Sequence, residues 1–357
     1  MSVLDREAVM RVLGDFQDPE SGRSVVTMEQ VKEVRVADDR VQVTLGLTTF
    51  AAPLREETRQ ALADRLRAKL PGAPKVEVDL VEHPRPAQPI GSVGLTAKAV
   101  IAVGSGKGGV GKSTVAATLA LTLKHAGCKV GLMDADVYGP SVPHLLGLEG
   151  QPHIVDQRLQ PVVDQGMPVM SMGFLVPKGE AVVWRGPMLH GAITQFLRDT
   201  AWGDLDFLII DMPPGTGDIA LTLSQLLPLT GAVVVCTPQD VALLDAVKAI
   251  AMFRKVNIPV LGLVENMSYF ECPDNGKRYD IFGTGGARAK AEELDVPFLG
   301  ELPIQIPIRE RGDAGSTAGN VTDAQSGPYF QRIAANLVRG LAQARVAAPP
   351  MPTLSVL

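Results

Sequence analysis

The sequence predicts an α/β protein in which a doubly wound, mostly parallel sheet follows a small α+β domain. Three observations support this prediction. Six short apolar runs alternate with segments of helical spacing over residues 99–346, a pattern typical of parallel strands joined by helices. Clusters of polar residues, glycine and proline follow several of these runs, where ligands of such a sheet bind. Residues 1–81 instead combine helical segments with hairpin-like alternation.

The first 81 residues are predicted to form the separate small domain. Its elements are expected in the order helix Arg6–Phe16, hairpin Val31–Leu47, helix Leu54–Leu70 and strand Val76–Val81. The hairpin turn is expected at Asp38-Asp39, between two stretches of alternating apolar residues. Residues 82–98 are dense in proline and glycine, which predicts a linker to the second domain, residues 99–346.

A glycine-rich loop separates the first predicted core strand, Ala99–Val103, from a predicted helix, Val115–His125. The loop consists of Gly106, Lys107, Gly108, Gly109, Val110, Gly111, Lys112, Ser113 and Thr114. Between a strand and a helix, this G-x-x-x-x-G-K-[ST] spacing is typical of a nucleotide-binding P-loop. The glycines let N–H groups point at phosphates, and the helix N-terminus adds positive charge. We expect Lys112 to reach the β- and γ-phosphates of ATP and the Ser113 hydroxyl to bind Mg²⁺.

The later strands end in residues that suit the same ligand. They are predicted at Lys129–Met133, Leu205–Ile210, Ala232–Cys236, Val260–Glu265 and Phe298–Leu302. Asp211 follows the second of them, where a carboxylate holds Mg²⁺ in P-loop proteins. Asp134 and Asp136 are two residues apart, so an extended chain points both the same way. Gly215 has the freedom to bring a backbone N–H near the γ-phosphate.

Composition narrows the possible functions. The net charge of −5 does not favour a nucleic-acid binder or an anionic-membrane binder. Three cysteines are too few for a disulfide framework and fit a reducing cytoplasm. No apolar run reaches the ~18 residues of a membrane span, and the charged start lacks the apolar core of a signal peptide. A helix is predicted over residues 326–345, followed by a disordered tail, residues 347–357.

Lys107 makes the loop resemble one group of P-loop ATPases. A lysine directly after the first glycine is the deviant form found in nitrogenase iron protein, the Min and Par positioning ATPases and the Mrp/ApbC iron–sulfur carriers. Further motifs resemble the Mrp/ApbC carriers over nearly the whole chain; they are Asp134–Ser141, Trp184–Met188, Asp206–Asp218, Val264–Met267 and Ile281–Gly286. Asp18–Glu20 and Ser24–Val26 resemble the SufT-like domain at the front of many such proteins.

This resemblance implies a homodimer that binds and hydrolyses ATP, works with iron–sulfur assembly proteins and carries clusters to client apoproteins. It implies that Lys107 crosses to the partner's phosphates and acts with Lys112 in hydrolysis. It further implies that Asp136 orients the attacking water, Asp134 assists Mg²⁺ binding and Asn266 recognises the adenine base. The residues alone leave other roles open, since the aspartates also suit helix N-caps and Asn266 suits a turn.

Two cysteines of the resembled family are replaced in this chain. Ala52 stands at the cysteine of the small domain's L-T-x-x-x-C-P motif, which favours a docking role for that domain. The C-x-x-C cluster motif ends in Asn275, so only Cys272 of the pair remains. We therefore expect at most a labile iron–sulfur cluster at Cys272, completed by outside ligands. Cys128 and Cys236 are expected to be buried core residues.

Two other functions remain open at this stage. A cluster-free, ATP-dependent scaffold of the same fold would explain both cysteine replacements. A Par/Min-like positioning ATPase would need a basic DNA-binding face or a C-terminal amphipathic membrane helix. The proline-rich tail after Ala347 has neither feature, so the carrier function is preferred.

Overall fold

The computed structural model describes residues 5–37, 40–70, 75–175, 186–215 and 217–347. These residues form two compact units. The first unit contains the residues up to Arg85 together with those from Val338 onward, and the second spans Pro86–Leu337. The predicted boundaries placed residues 338–346 in the core instead. The structure differs there because the last turns of the C-terminal helix contact the first unit's own residues.

The first unit has its elements in the predicted order. They are α1 (Arg6–Gly14), β1 (Val31–Ala37), β2 (Arg40–Leu47), a 3₁₀ helix (Thr49–Leu54), α2 (Arg55–Lys69) and β3 (Lys75–Glu82). Strand β2 lies in the centre, antiparallel to β1 and parallel to β3. Its alternate residues Val41, Val43 and Leu45 are buried in the core, as a period of two requires.

A buried carboxylate organises the loop between α1 and β1. Asp18 accepts hydrogen bonds from the Ser21 hydroxyl at 2.6 Å, the Gln30 amide at 2.9 Å and the Arg85 guanidinium at 2.9 Å. Burial raises the pKa of Asp18, but these hydrogen bonds outweigh burial and hold the pKa below its ordinary value. Glu20 lies in the same cluster, 3.3 Å from Arg85.

The second unit contains the remaining elements. They are, in chain order, β4 (Pro89–Ile90), β5 (Leu95–Gly104), α3 (Lys112–His125), β6 (Val130–Asp134), α4 (Val142–Leu145), β7 (His153–Val155), β8 (Arg158–Gln160), β9 (Val162–Asp164), β10 (Met167–Ser171), a 3₁₀ helix (Met172–Phe174), α5 (Gly186–Asp199), β11 (Leu205–Asp211), α6 (Gly217–Leu226), β12 (Gly231–Cys236), α7 (Asp240–Lys255), β13 (Val260–Glu271), β14 (Arg278–Tyr279), α8 (Gly286–Glu293), β15 (Phe298–Ile304), α9 (Ile306–Asp313), α10 (Gly319–Thr322) and α11 (Gly327–Ala347). The last of these, α11, continues from the second unit into the first.

The main sheet of the second unit is mostly parallel, as predicted. Its strand order is β14-β13-β12-β5-β11-β6-β10-β9, with β15 also paired to β13 and β4 to β5. From β5 the chain passes to β6 on one side and later to β12 and β13 on the other. The carboxyl end of β5 therefore lies where the strand order reverses, the usual ligand position in an open α/β sheet. The predicted P-loop begins there.

Some local predictions differ from the structure. The predicted linker, residues 82–98, contains β4 and the start of β5, because Pro89 lies on an edge strand where no ladder N–H is needed. Strand β13 continues beyond Glu265 to Glu271 through a bulge in which Met267 has a left-handed φ of 57°. Strands β7, β8 and β9, only three residues each, carry too little alternation to be predicted.

Some sequence features lie outside the described residues, namely Asp38-Asp39, Trp184-Arg185 and the tail after Ala347. Among the helices that the structure describes, none is long and apolar enough to cross a bilayer.

We expect Asp18→Asn to lower the opening free energy of the first unit by about 1–3 kcal/mol at pH 7, because Arg85 loses one of its two buried carboxylate partners and keeps only Glu20. Since folding depresses the pKa of Asp18, its contribution is present above the unfolded pKa of about 4 and is lost as the pH falls below it. The difference from wild type should therefore shrink in acid. Hydrogen exchange of the β2 amides, followed at pH 7 and at a pH below about 4, measures the opening free energy of both proteins.

The matched control is Asp15→Asn. Asp15 lies 3.5 Å from Arg65, and its side chain is 74% exposed. An exposed pair of this kind is worth at most about 1 kcal/mol. Equal effects of the two substitutions would show that burial gives the Asp18 cluster no special role.

Candidate nucleotide and metal site

The loop after β5 has the geometry of an anion-binding turn. Gly109 and Gly111 have left-handed φ angles of 80° and 79°, which residues with a Cβ rarely adopt. The N–H groups of Gly108, Gly109 and Gly111 donate to no acceptor among the described residues. Helix α3 begins directly after them at Lys112 and adds its positive end. The predicted loop therefore presents backbone donors at a helix N-terminus, as phosphate binding requires.

The start of this loop is tightly packed. A Cβ on Gly106 would lie 2.1 Å from the carbonyl oxygen of Asp245. Because that oxygen is a backbone atom, it cannot move away as the end of a flexible side chain could.

Lys107, the next residue, is partly exposed. It forms no ion pair within the part of the chain that the structure describes.

Lys112 is held by carboxylates at the centre of the site. Its Nζ lies 2.5 Å from Asp211 Oδ1 and 3.8 Å from Asp136 Oδ2, and it donates to the Ser113 hydroxyl at 3.1 Å. The lysine side chain is only 7% exposed. A buried ammonium needs such partners, because burying an isolated charge is costly. The structure thus brings together four of the predicted residues, Lys112, Ser113, Asp136 and Asp211.

The second oxygen of Asp211 fits a divalent cation. Asp211 is fully buried, and its Oδ2 has no hydrogen-bond partner among the described residues. Burial raises the pKa of this carboxyl, Asp136 adds to the rise and Lys112 opposes it. A hard cation with oxygen ligands would satisfy the unpaired oxygen, and the Ser113 hydroxyl is a second donor of the right kind. Asp211 and Ser113 therefore fit the predicted Mg²⁺ site.

Asp134 and Asp136 have different surroundings. Asp134 accepts hydrogen bonds from the Asp136 N–H at 3.0 Å, the Val142 N–H at 3.1 Å and the Ser171 hydroxyl at 2.9 Å. Burial and the charge of Asp211 raise its pKa to about 7. These bonds give Asp134 a role in holding the loop that carries Asp136, while its part in Mg²⁺ binding stays a prediction.

Asp136 itself is positioned by the turn that follows it. Its Oδ1 accepts from the N–H groups of Tyr138 and Gly139 at 3.3 and 3.1 Å, and its Oδ2 faces Lys112. One oxygen is thus used to fix the side chain, and the other points towards the loop. This is a suitable arrangement for a group that orients a water molecule beside a phosphate.

Gly215 and Asn266 contact the loop through bonds that the sequence did not reveal. The Gly215 N–H donates to the Ser105 carbonyl at 2.9 Å, so it does not point freely at the phosphate position. The Asn266 amide donates to the Val110 carbonyl at 2.8 Å. Their predicted contacts with the γ-phosphate and the adenine base stay predictions.

Two positioning residues were missed by sequence reasoning. Ser171 at the end of β10 bonds to Asp134, and the buried Glu265 accepts from the Ser268 hydroxyl at 2.6 Å and the Ala287 N–H at 2.7 Å. No local motif could identify Ser171, because its partner is 37 residues away. Glu265 lies within the Val264–Met267 motif. Its charge at the end of an apolar run was the signal that could have identified it as a positioning residue.

Cys272 lies apart from the loop in a hairpin formed by β13 and β14. It is partly exposed, whereas Cys128 and Cys236 are buried, as predicted, and burial raises the pKa of both buried thiols. A cavity of about 550 Å³ borders Cys272 and is also lined by Phe270, Ile304 and Tyr329. Within the described ranges, no group of three or more His, Cys, Asp or Glu residues could hold a metal ion. A cluster at Cys272 thus needs ligands from outside one chain.

Ala52 stands at the other position where the resembled family has a cysteine, and it is buried in the first unit.

Comparison with known proteins agrees with this geometry. Residues 96–338 match the family described as NUBPL iron-transfer P-loop NTPase, and residues 6–80 match the family described as iron-sulfur cluster assembly protein. The iron-sulfur cluster carrier protein of Deinococcus radiodurans is 49% identical over 315 residues, which cover 87% of this chain and 88% of that protein. The protein of the same name from Escherichia coli K12 is 45% identical over 318 residues, 87% and 85% of the two chains.

A solved structure is also similar. The nucleotide-binding protein of Archaeoglobus fulgidus in complex with ADP is 43% identical, with a TM-score of 0.58. The match covers 66% of this chain and 92% of that one.

We expect Gly106→Ala to weaken ATP binding at least tenfold and to lower the melting temperature. The added methyl group would push the loop away from the Asp245 backbone, and such overpacking costs about 1–3 kcal/mol. Gly139→Ala is the control, because no atom lies within 4 Å of the Cβ it would add. Calorimetric titration with ATP and thermal unfolding measure both effects. Unchanged ATP affinity in Gly106→Ala would contradict the tight packing.

Proposed function

Because the chain belongs to the iron-transfer P-loop NTPase family, we propose that it is an iron–sulfur cluster carrier that binds and hydrolyses ATP as a homodimer. It takes clusters from assembly proteins and delivers them to client apoproteins in the cytoplasm. The observation that carries the nucleotide part is the loop after β5. The N–H groups of Gly108, Gly109 and Gly111 have no acceptor among the described residues, and the buried Lys112 that follows them pairs with Asp211. Three unpaired cysteines are compatible with a reducing compartment.

Hydrolysis of ATP at this site depends on positioning and charge. Mg²⁺, held by Ser113 and Asp211, would supply positive charge to the phosphate oxygens. The N–H groups of Gly108, Gly109 and Gly111 bind the phosphates, and the Lys112 ammonium turns from Asp211 towards the β- and γ-oxygens. Asp136 orients the attacking water with its Oδ2, because its Oδ1 is held by the turn.

Two features support a second copy of the chain as partner. Lys107 is a partly exposed cation without an ion pair among the described residues, and a partner's phosphates would neutralise it. Val241 and Leu244 lie three residues apart on the first turns of α7 and are 67% and 62% exposed. Residues at this spacing share one helix face, and exposed apolar residues of this size favour a protein contact.

The cluster function rests on Cys272. One chain supplies a single accessible thiol, and a homodimer supplies two. A [4Fe–4S] cluster is held by four thiolates, so two positions must come from a small thiol or from a client's cysteines. An incomplete ligand set makes the cluster easy to release, which suits a carrier.

A second function is favoured by the two replaced cysteines. With Ala52 and Asn275 at these positions, the chain would act as a cluster-free scaffold that changes its protein contacts with ATP. The fold and the nucleotide site are the same in both functions, and iron binding separates them.

Iron content tests the carrier function directly. After anaerobic reconstitution, we expect wild type to hold a weak, oxygen-sensitive cluster and Cys272→Ala to hold none. Asn275→Cys should hold more, because it restores the second thiolate of each chain. The measurement is iron and sulfide per dimer together with the visible absorption spectrum.

The matched control for this experiment is Cys128→Ala, which removes a buried thiol and should leave iron binding unchanged. A stoichiometric cluster that survives Cys272→Ala would place the ligands elsewhere. If even Asn275→Cys binds no iron, the scaffold function is the better account.

Mixed dimers test the role of Lys107. We expect Lys107→Ala and Asp136→Ala each to slow ATP hydrolysis, the former by about 10³–10⁵-fold if it acts as a trans-acting arginine does. A mixed dimer of the two variants has one site with both residues intact. Mixing equal amounts should therefore restore about a quarter of wild-type activity, since half of the dimers are mixed. No recovery would mean that Lys107 acts within its own chain.

A further inference from the structure

The side chain of Asn266 is bound to the backbone of the phosphate loop. Its Nδ2 donates to the Val110 carbonyl at 2.8 Å, across 156 residues of sequence. Val110 is buried, so water does not compete for its carbonyl. The Asn266 amide also fills the space beside the next residue, since a Cβ on Gly111 would lie 2.3 Å from Nδ2.

This bond determines where the Gly111 N–H points. The peptide unit between Val110 and Gly111 is planar and trans, so its carbonyl and its N–H point in opposite directions. By drawing the carbonyl to its own side, Asn266 turns the Gly111 N–H to the other side. That N–H is one of the unpaired donors at the start of α3.

The backbone of Asn266 is itself firmly held. Asn266 is in register with Leu302 of β15, and the preceding residue, Glu265, is in register with Cys236 of β12. The buried Glu265 carboxylate accepts from the Ser268 hydroxyl and the Ala287 N–H, which fixes the bulge around Met267. The side-chain amide of Asn266 is thus presented from a rigid base.

We propose that Asn266 is a positioning residue that sets the Val110–Gly111 peptide for phosphate binding, whatever base the ligand carries. The inference rests on the proposed binding of ATP at this loop. It assigns Asn266 a role that differs from adenine recognition, and the two roles make opposite predictions for a ligand without a base. Among the described residues, the remaining amide hydrogen and the Oδ1 of Asn266 have no hydrogen-bond partner and could contact a base, so the experiment must separate the two roles.

The test compares ATP with inorganic tripolyphosphate in the same magnesium buffer. Affinities for the full chain are measured by competition with a fluorescent ATP analogue, for wild type, Asn266→Ala and Asn266→Leu. The leucine variant keeps nearly the same volume without the donor, so it remains informative if the alanine variant unfolds. We expect both ligands to bind about tenfold more weakly, the effect of one lost hydrogen bond.

The matched control is Asn336→Ala. Asn336 also donates its amide to a backbone carbonyl, that of Leu299, at 2.7 Å. It lies on α11 and not beside the loop, so both affinities should stay at wild-type values.

Four outcomes overturn the inference. If the Asn266 variants lose ATP affinity but bind tripolyphosphate as wild type does, the role of Asn266 is to recognise the adenine base. If neither affinity changes, the bond to Val110 has no effect on binding. A wild type that binds ATP but no tripolyphosphate shows that the loop does not hold phosphates by itself. A wild type that binds neither ligand overturns the proposed function as well.

Discussion

The buried ion pair between Lys112 and Asp211 is the contact on which the nucleotide site depends. Asp211 ends β11 in register with Asp134 of the neighbouring β6, and Lys112 begins α3. The Lys112 ammonium contacts two carboxylates in this buried place, those of Asp211 and Asp136. Burial is the main cause that raises the pKa of Asp134 and of Asp211, and a neighbouring carboxylate adds to the rise in each case. Lys112 pairs with one oxygen of Asp211, and the other oxygen has no hydrogen-bond partner among the described residues. A hard cation such as Mg²⁺ would satisfy that oxygen.

The parallel sheet and the phosphate loop could be predicted from the sequence because their determinants are local. An uninterrupted apolar run such as Phe207–Ile210 in β11 predicts a strand that is buried on both faces. The glycines of the loop predict its left-handed turns. The long course of β13 could not be predicted, because the polar residues Glu265, Asn266 and Ser268 interrupt its apolar run. Their partners lie in other elements, and sequence spacing carries no information about such contacts.

Asp134 and Asp136 show how a correct motif leaves the roles of its residues open. Alternation along the chain treats them as an equivalent pair. In the structure, Asp134 is used for three hydrogen bonds within the protein, and only Asp136 has an oxygen turned towards Lys112. The difference arises because Asp134 is the last residue of β6 and is covered by Ser171, whereas Asp136 lies in the turn beyond it.

The hairpin that carries Cys272 gives a physical reason for tolerating Asn275. The Asn275 side chain accepts a hydrogen bond from the Lys277 N–H at 2.9 Å, an Asx-type turn that closes the end of the hairpin. A cysteine there would supply a second thiolate but no comparable acceptor for that N–H. The hairpin is further held by the Arg278 guanidinium, 3.9 Å from the centre of the Tyr269 ring. Asn275 thus stabilises the backbone of the turn at the position where the family has its second cysteine.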